Sequence, residues 1–385
     1  MNTDKGTLKI GKTWIEHAEG QARLCSHIRI NGREEVIWYG VNSEQEKYLI
    51  RDRSDPFVML LLPTAMRGSL TMTSEDPMSE RLHYQLQDLL MPALCSKGDR
   101  YHYVNIFTPL TNEPVSSEGA VVTGFSGGVD SLYTIFTHGK DSLLPVTHLT
   151  VFNSGVYEGR NYRRNFQRFS ENCRRFADEL GLKTIFVDSN VYEALPEDYI
   201  SVVSYRLLSF ALAIQPLASV YLLSSGYQAE LFHISSERAA YNDLLTVSCA
   251  GTESLRIYLP GAETTRIGKL EAISSWDPSF RWLSSCIWTD SGKKNCGHCK
   301  KCMWDLAALY AMGRLENYSP VFDIEDYKKH LPQRIGFVLS NTVDLHCRES
   351  AAYLKQSGAY IPPLAYKCAE LFRDAVDKGE KKNER

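Results

Sequence analysis

The chain reads as an α/β protein built on a doubly wound parallel sheet, with a β-rich segment before it and a helical tail after it. Three observations predict this. Between residues 120 and 223, short β-branched runs alternate with stretches at helical spacing, as successive βαβ units require. One of those runs, Ala120-Val121-Val122, leads directly into Gly124-Phe125-Ser126-Gly127-Gly128-Val129-Asp130-Ser131, a glycine-rich turn between a strand and a helix. Four of the ten cysteines fall between positions 286 and 302, which adds a metal-type knuckle after the sheet.

The elements follow in order. Residues 1–116 carry short β-like runs at 24–30, 35–38 and 57–62, then a helical stretch at 80–94, and are expected to form a separate β-rich domain. Residues 111–119, with Pro114, Ser116, Ser117 and Gly119, read as the linker. A second domain is expected over 117–315, with strands at 120–125, 147–152, 184–187 and 219–223 and helices ending near His138 and spanning 162–180 and 205–214. The longest apolar stretch, 204–226, contains Arg206, Gln215 and Pro216, so it reads as buried helix, break and strand, and no membrane span is expected. Residues 316–385 form a helical extension, interrupted by Pro332 and Pro362-Pro363 and ending in a frayed, solvated charged run from 377.

The glycine turn has the makings of a phosphate site. Several backbone N–H groups must converge on one anion, and Gly127 and Gly128 give the freedom for it. Ser126 and Ser131 add hydroxyls, and Ser131 stands near a helix start whose amides and dipole favour negative charge. A lone carboxylate there would repel phosphates, so Asp130 either holds Mg²⁺ or orders the loop through its own hydrogen bonds. No Gly-Lys-Ser/Thr follows and no Gly-x-Gly-x-x-Gly is present, which excludes the Walker and dinucleotide patterns. The plainer reading is a tight Gly-Gly turn with a serine and aspartate helix cap.

Cys286, Cys296, Cys299 and Cys302 leave nine, two and two residues between them, a spacing that lets four thiolates surround one Zn²⁺. Lys293, Lys294, Lys300 and Lys301 would offset the resulting negative charge, and His298 reads as a bystander between ligands. A disulfide pair is the alternative. The opening MNTDKGTLKI has no signal-peptide apolar region, so a reducing cytoplasm is expected.

Ser-Gly-Gly-Val-Asp-Ser at 126–131 resembles the Ser-Gly-Gly-x-Asp-Ser signature of the PP-loop ATP pyrophosphatases, and the match covers all six positions. With Cys286 and Cys296-Gly297-x-Cys299-x-x-Cys302 behind it, residues 119–312 resemble the 7-cyano-7-deazaguanine synthase family, extended here by an N-terminal domain. Ser284-Ser285-Cys286 and Lys269-Leu270-Glu271-Ala272-Ile273 are similar in outline to family elements. The resemblance implies an adenine nucleotide alpha hydrolase-like fold, a structural Zn²⁺, and ATP-Mg²⁺ bound by Phe125, Ser126, Gly127, Gly128, Val129, Asp130 and Ser131. Asn153, past the second strand, is placed either on the adenine side or in a strand-ending turn.

Ser126, Asp130 and Lys269 are the expected catalytic set, with Arg266 and Arg281 behind Lys269 at the phosphates. An exposed lysine on a helix is the alternative for Lys269. The chemistry implied is adenylation of a carboxylate such as 7-carboxy-7-deazaguanine, with pyrophosphate released, followed by capture of ammonia or another amine to give an amide or nitrile.

One segment departs from the family. At 223–232 the chain reads Leu-Ser-Ser-Gly-Tyr-Gln-Ala-Glu-Leu-Phe, without the Pro-Asp after Ser-Gly-Tyr and without the upstream Gly-x-Asn-x-x-Asp. An altered acceptor therefore stands beside the deazapurine: a protein amine held by the N-terminal domain, as in the synthase-like components of bacterial anti-phage systems that such chains resemble. A tRNA-modifying thiolase would need Cys173 and Cys249 brought together, and a formal charge of −3 gives no general basic field for nucleic acid. A non-catalytic nucleotide sensor is the remaining alternative. Arg160, Arg164 and Arg168 recur every four residues and read first as a solvated helix face, with a phosphate or partner site as the alternative. A homodimer is left open.

Overall fold

Twelve strands form among the described residues, and ten of them share one sheet. The structure, a computed structural model, describes residues 6–98, 100–155, 162–195, 197–286, 294–341 and 343–383. Contacts divide the chain into two units: residues 1–125 with 138–263, and residues 126–137 with 264–385.

The first unit holds the sheet. Strands β1 (Thr7–Ala18), β2 (Gln21–Ile30) and β3 (Arg33–Asn42) form an antiparallel meander. Its two-residue turns, Glu19-Gly20 and Asn31-Gly32, have positive φ at both positions, the backbone that matches the strands' right-handed twist. Then come β4 (Thr71–Ser74), β5 (Met78–Ser79), β6 (Ile106–Phe107), β7 (Leu110–Thr111), β8 (Ala120–Gly124), β9 (His148–Phe152), β10 (Lys183–Ser189), β11 (Ala218–Leu222) and β12 (Arg256–Tyr258). The large sheet runs β12-β11-β8-β9-β10-β3-β2-β1-β4-β6, and β5 pairs with β7 apart from it. From β12 to β10 every pair is parallel, the mark of βαβ crossovers.

At β10 the pairing becomes antiparallel, with Asp188 opposite Gly40 and Ser189 opposite Tyr39. Asn190 extends the join past the end of the strand: its Oδ1 accepts from Trp38 N at 3.0 Å and its Nδ2 donates to Val36 O at 2.7 Å. The β-rich N-terminal strands thus continue the same sheet that β8–β12 begin. They share its hydrophobic core as well, where the Tyr39 ring meets Phe57 and Phe210.

Residues 57–62, expected as a β-like run, lie instead in the helix Asp55–Gly68. A continuous apolar run carries no period that separates a buried strand from a buried helix. Pro56 in the first turn and a length of 14 residues favour helix, and nearly every side chain is buried, in part against the helix Tyr199–Ala213. The expected buried helix, break at Pro216 and strand appear as Tyr199–Ala213, a turn and β11.

The second unit is helical. Val129–Thr137 belongs to it with Arg266–Ile273, Lys300–Ala311, Leu331–Ser340, Leu345–Gln356 and Pro363–Asn383. Pro332 sits in the first turn of its helix, where no N–H is needed, and Pro363 opens the last helix. Gly336 lets those two helices approach, since a Cβ there would stand 2.6 Å from Cys368 Cβ and 2.9 Å from Ala365 O. Among the described residues no helix is long and apolar enough to cross a membrane.

Candidate functional site

The loop at 126–131 closes on itself through hydroxyls. Gly127 has φ of +72°, which a Cβ would strain. Ser131 Oγ donates to Gly128 O at 3.1 Å and pairs with Ser126 Oγ at 3.1 Å, and Ser126 Oγ accepts from Gly128 N at 3.1 Å. Both hydroxyls therefore brace the turn. Leu132 N donates to Gly128 O, which opens the helix Val129–Thr137, and the first-turn amides of a helix lack intrahelical acceptors. Val129 is fully buried, so it could meet a ligand only through its backbone. Phe125, in the first unit, fixes the end of β8: its N–H donates to Thr150 O and its ring stacks on Phe176 at 4.7 Å.

Behind the loop lies an ionic network. Arg266 and Lys269 stand three apart on the helix Arg266–Ile273, so both project from one face. Thr265 caps that helix, its Oγ1 accepting from Gly268 N at 3.1 Å. Lys269 Nζ lies 2.9 Å from Asp130 Oδ1 with its side chain 1% exposed, which overturns the exposed-lysine alternative. Arg266 reaches Asp130 Oδ2 at 3.3 Å through Nη1, while its Nε and Nη2 grip the two oxygens of Asp305 at 3.1 Å each. Burial opposes ionisation of Asp130, but Lys269 and Arg266 outweigh it and hold the carboxyl below the usual range. Arg281 instead pairs with Asp277 at the surface.

Sequence reasoning missed Asp305. It sits among Met303, Trp304 and Leu306 on the buried face of a helix, and a lone acid in an apolar run three residues after Cys302 was the available signal.

The four cysteine sulfurs lie within 4.8 Å of one another and could bind a metal ion such as zinc. Cys286 Sγ is 3.6 Å from Cys296 Sγ, which is 3.8 Å from Cys302 Sγ. A disulfide needs about 2.0 Å, whereas a tetrahedron with metal–sulfur bonds of about 2.3 Å has edges of about 3.8 Å. The donor set fits zinc. Gly297, with φ of +74°, turns the chain between close ligands, and Cys299 N donates to Cys296 Sγ at 3.3 Å. Asn295 Oδ1 accepts from Ser285 N and Cys286 N, which fixes the remaining ligand. His298 stays outside the cluster, its Nδ1 donating to Cys296 O. Lys300 pairs with Asp344 at 2.5 Å and Lys294 lies 3.6 Å over Trp282; Lys293 is outside the described residues.

In the first unit, Asn153 is 1% exposed, and its Nδ2 donates to Asp188 Oδ1 at 2.6 Å. Ser189 Oγ donates back to Asn153 O, so this residue locks the carboxyl ends of β9 and β10 together. The departing segment 223–232 leads into an aromatic cluster: Tyr227 and His233 rings lie 4.6 and 4.2 Å from Tyr241, and Arg238 Nη1 donates to Tyr227 Oη. Arg164 is exposed and Arg168 lies over Phe169, while Arg160 is outside the described residues. Burial pushes the Cys173 and Cys249 thiols up, away from the thiolate that sulfur transfer needs.

No protein-family model matches the chain, and no curated protein matches it.

Proposed function

We propose that the chain is an ATP-dependent enzyme of the PP-loop type that adenylates a carboxylate and replaces AMP with an amine. One observation carries the reading: the only acid of the glycine turn, Asp130, is compensated by a buried lysine and an arginine. The turn can then offer amides to a nucleotide's phosphates without presenting them net negative charge. A carboxylate oxygen attacks the α-phosphorus, the bond to the β-phosphate oxygen breaks, and pyrophosphate leaves. Ammonia or another amine then attacks the acyl carbon and AMP departs. Such transfers depend on positioning and charge stabilisation, the roles assigned here to residues 126–131, Lys269 and Arg266.

Both Asp130 oxygens are engaged by cations, which supports the loop-ordering role of this residue. Magnesium would then be held by the nucleotide's own phosphates. The four-thiolate set leaves no open coordination position, so a metal there holds structure and does no chemistry on substrate.

The test is pyrophosphate release from ATP-Mg²⁺ with 7-carboxy-7-deazaguanine and ammonia, and mass analysis of the purine. Release that depends on the deazapurine supports the synthase reading, and Asp130→Ala should abolish it at unchanged zinc content. Turnover retained in that variant removes Asp130 from the account. A second reading keeps the activation step and changes the acceptor. It is favoured by the Gln228-Ala229 that stand where the family has Pro-Asp, next to a Tyr227 ring that packs on Tyr241 together with His233 and Arg238. A mass shift on a partner protein, dependent on ATP, would decide for it.

A further inference from the structure

Two routes of contact join the cysteine cluster to the glycine turn within the second unit. Ser284 N donates to Gly127 O at 2.7 Å, and Ser284 O lies 3.8 Å from where a Cβ on Gly128 would stand. Next in the chain, Ser285 Oγ donates to Asp305 Oδ2 at 2.5 Å. Asp305 holds Arg266 with both oxygens, and Arg266 reaches Asp130. The relay starts at the metal ligands on both sides: Ser285 precedes Cys286, and Asp305 follows Cys302 by about one helical turn. Ser285 is 6% and Asp305 1% exposed, so water offers them no substitute partners.

We propose that Asp305 is a positioning residue through which metal held by the four cysteines sets the geometry of the phosphate loop; this rests on reading residues 126–131 as a nucleotide loop. A cation holds Cys286 against Cys302, and thereby Ser285 against Asp305. That carboxylate takes two of Arg266's donors and leaves Nη1 for Asp130. With the cluster opened, Ser285 keeps its backbone bond to Asn295 but loses the anchor that Cys286 gives it, Arg266 is redistributed between its two acids, and Gly127 and Asp130 lose support together. Loop order and nucleotide affinity then follow metal occupancy, although no loop residue ligates the metal.

The experiment uses the full chain in three states: zinc-loaded, stripped by chelator, and reloaded with zinc alone. Hydrogen exchange of peptides covering 126–137 and calorimetric ATP-Mg²⁺ binding are read on each, and on zinc-loaded Asp305→Asn and Asp305→Glu. Stripping should raise loop exchange and weaken ATP binding about tenfold, the effect of one lost charge-assisted contact. Zinc should restore both. Asp305→Asn should reproduce the loss at full zinc content, and Asp305→Glu should recover part of it. Native loop exchange in the stripped protein, or in Asp305→Asn, overturns the proposal. If stripping unfolds the unit, the zinc-retaining variants decide. If Asp305→Asn does not fold, Ser285→Ala should give a smaller effect of the same kind, and native loop exchange in it counts against the relay. A wild-type protein that binds no ATP refutes the nucleotide reading alone, since the exchange data still report the relay.

Discussion

Replacing Lys269 by Met tests the ionic network most directly. The lysine is 1% exposed and lies 2.9 Å from Asp130, whose side chain is 27% exposed. Removing one partner of a buried pair costs about 3–5 kcal/mol, because the other charge is left uncompensated. Solvent reaches Asp130, and Arg266 remains 3.3 Å away, so the expected loss falls to about 2–3 kcal/mol. Met has nearly the volume of the lysine stem, which keeps any cavity cost small. With an m value of about 2–3 kcal/mol/M, the urea midpoint should drop by about 1 M. Adding Asp130→Asn removes the stranded charge and should recover at least half of the loss, giving a coupling energy above about 1 kcal/mol. Fluorescence of the second unit's tryptophans, which include Trp276, Trp282 and Trp304 among the described residues, follows the transition. A single variant as stable as wild type, or additive losses in the double variant, would refute the claim that Lys269 is there to compensate Asp130.

Other outcomes are expected elsewhere. Cys302→Ser should abolish stoichiometric zinc binding, measured by elemental analysis, because Cys302 is fully buried and, among the described residues, the cluster holds only the other three cysteines. Gly127→Ala should cost about 1–2 kcal/mol of local strain at φ of +72° and weaken ATP binding in calorimetry while zinc content stays unchanged. Asp243 gives a pH test: burial, opposed by the Ser204 hydroxyl, pushes its carboxyl up to about 7. The folded state then keeps a proton that the unfolded chain releases near pH 4. The contribution of Asp243 to stability is full below that pH and declines as pH rises towards 7, by an upper bound of about 4 kcal/mol. Asp55, pushed up to about 6 by burial, acts in the same direction. Asp243→Asn should flatten most of this slope in thermal unfolding between pH 5 and 8, and an unchanged slope would show that Asp243 is ionised in the folded protein.

The parallel half of the sheet was legible because its evidence is local. Each strand from β8 to β11 is a short β-branched run beside a helix of ordinary length, and the expected boundaries fall within a few residues of the observed ones. The join between β10 and β3 was not legible, since nothing near Asn190 announces that it will bracket Trp38, more than 150 positions earlier. The run at 57–62 failed for a different reason. Total burial erases periodicity, so only Pro56 and the length of the element could have identified a helix.

The same distinction separates the glycine turn of the second unit from the aromatic cluster of the first. The conformation of a tight turn is written in its glycines, so residues 126–131 could be read as a unit. Asp130 nonetheless gains its meaning from Lys269 and Arg266, about 140 positions away, and Arg266 gains its orientation from Asp305. Tyr227, His233, Arg238 and Tyr241 are instead gathered by folding, and no local pattern announces their contacts. A short loop can therefore keep its signature while a segment elsewhere in the chain departs from the resembled pattern. An acceptor for the proposed activation step is therefore to be found by following mass rather than motif.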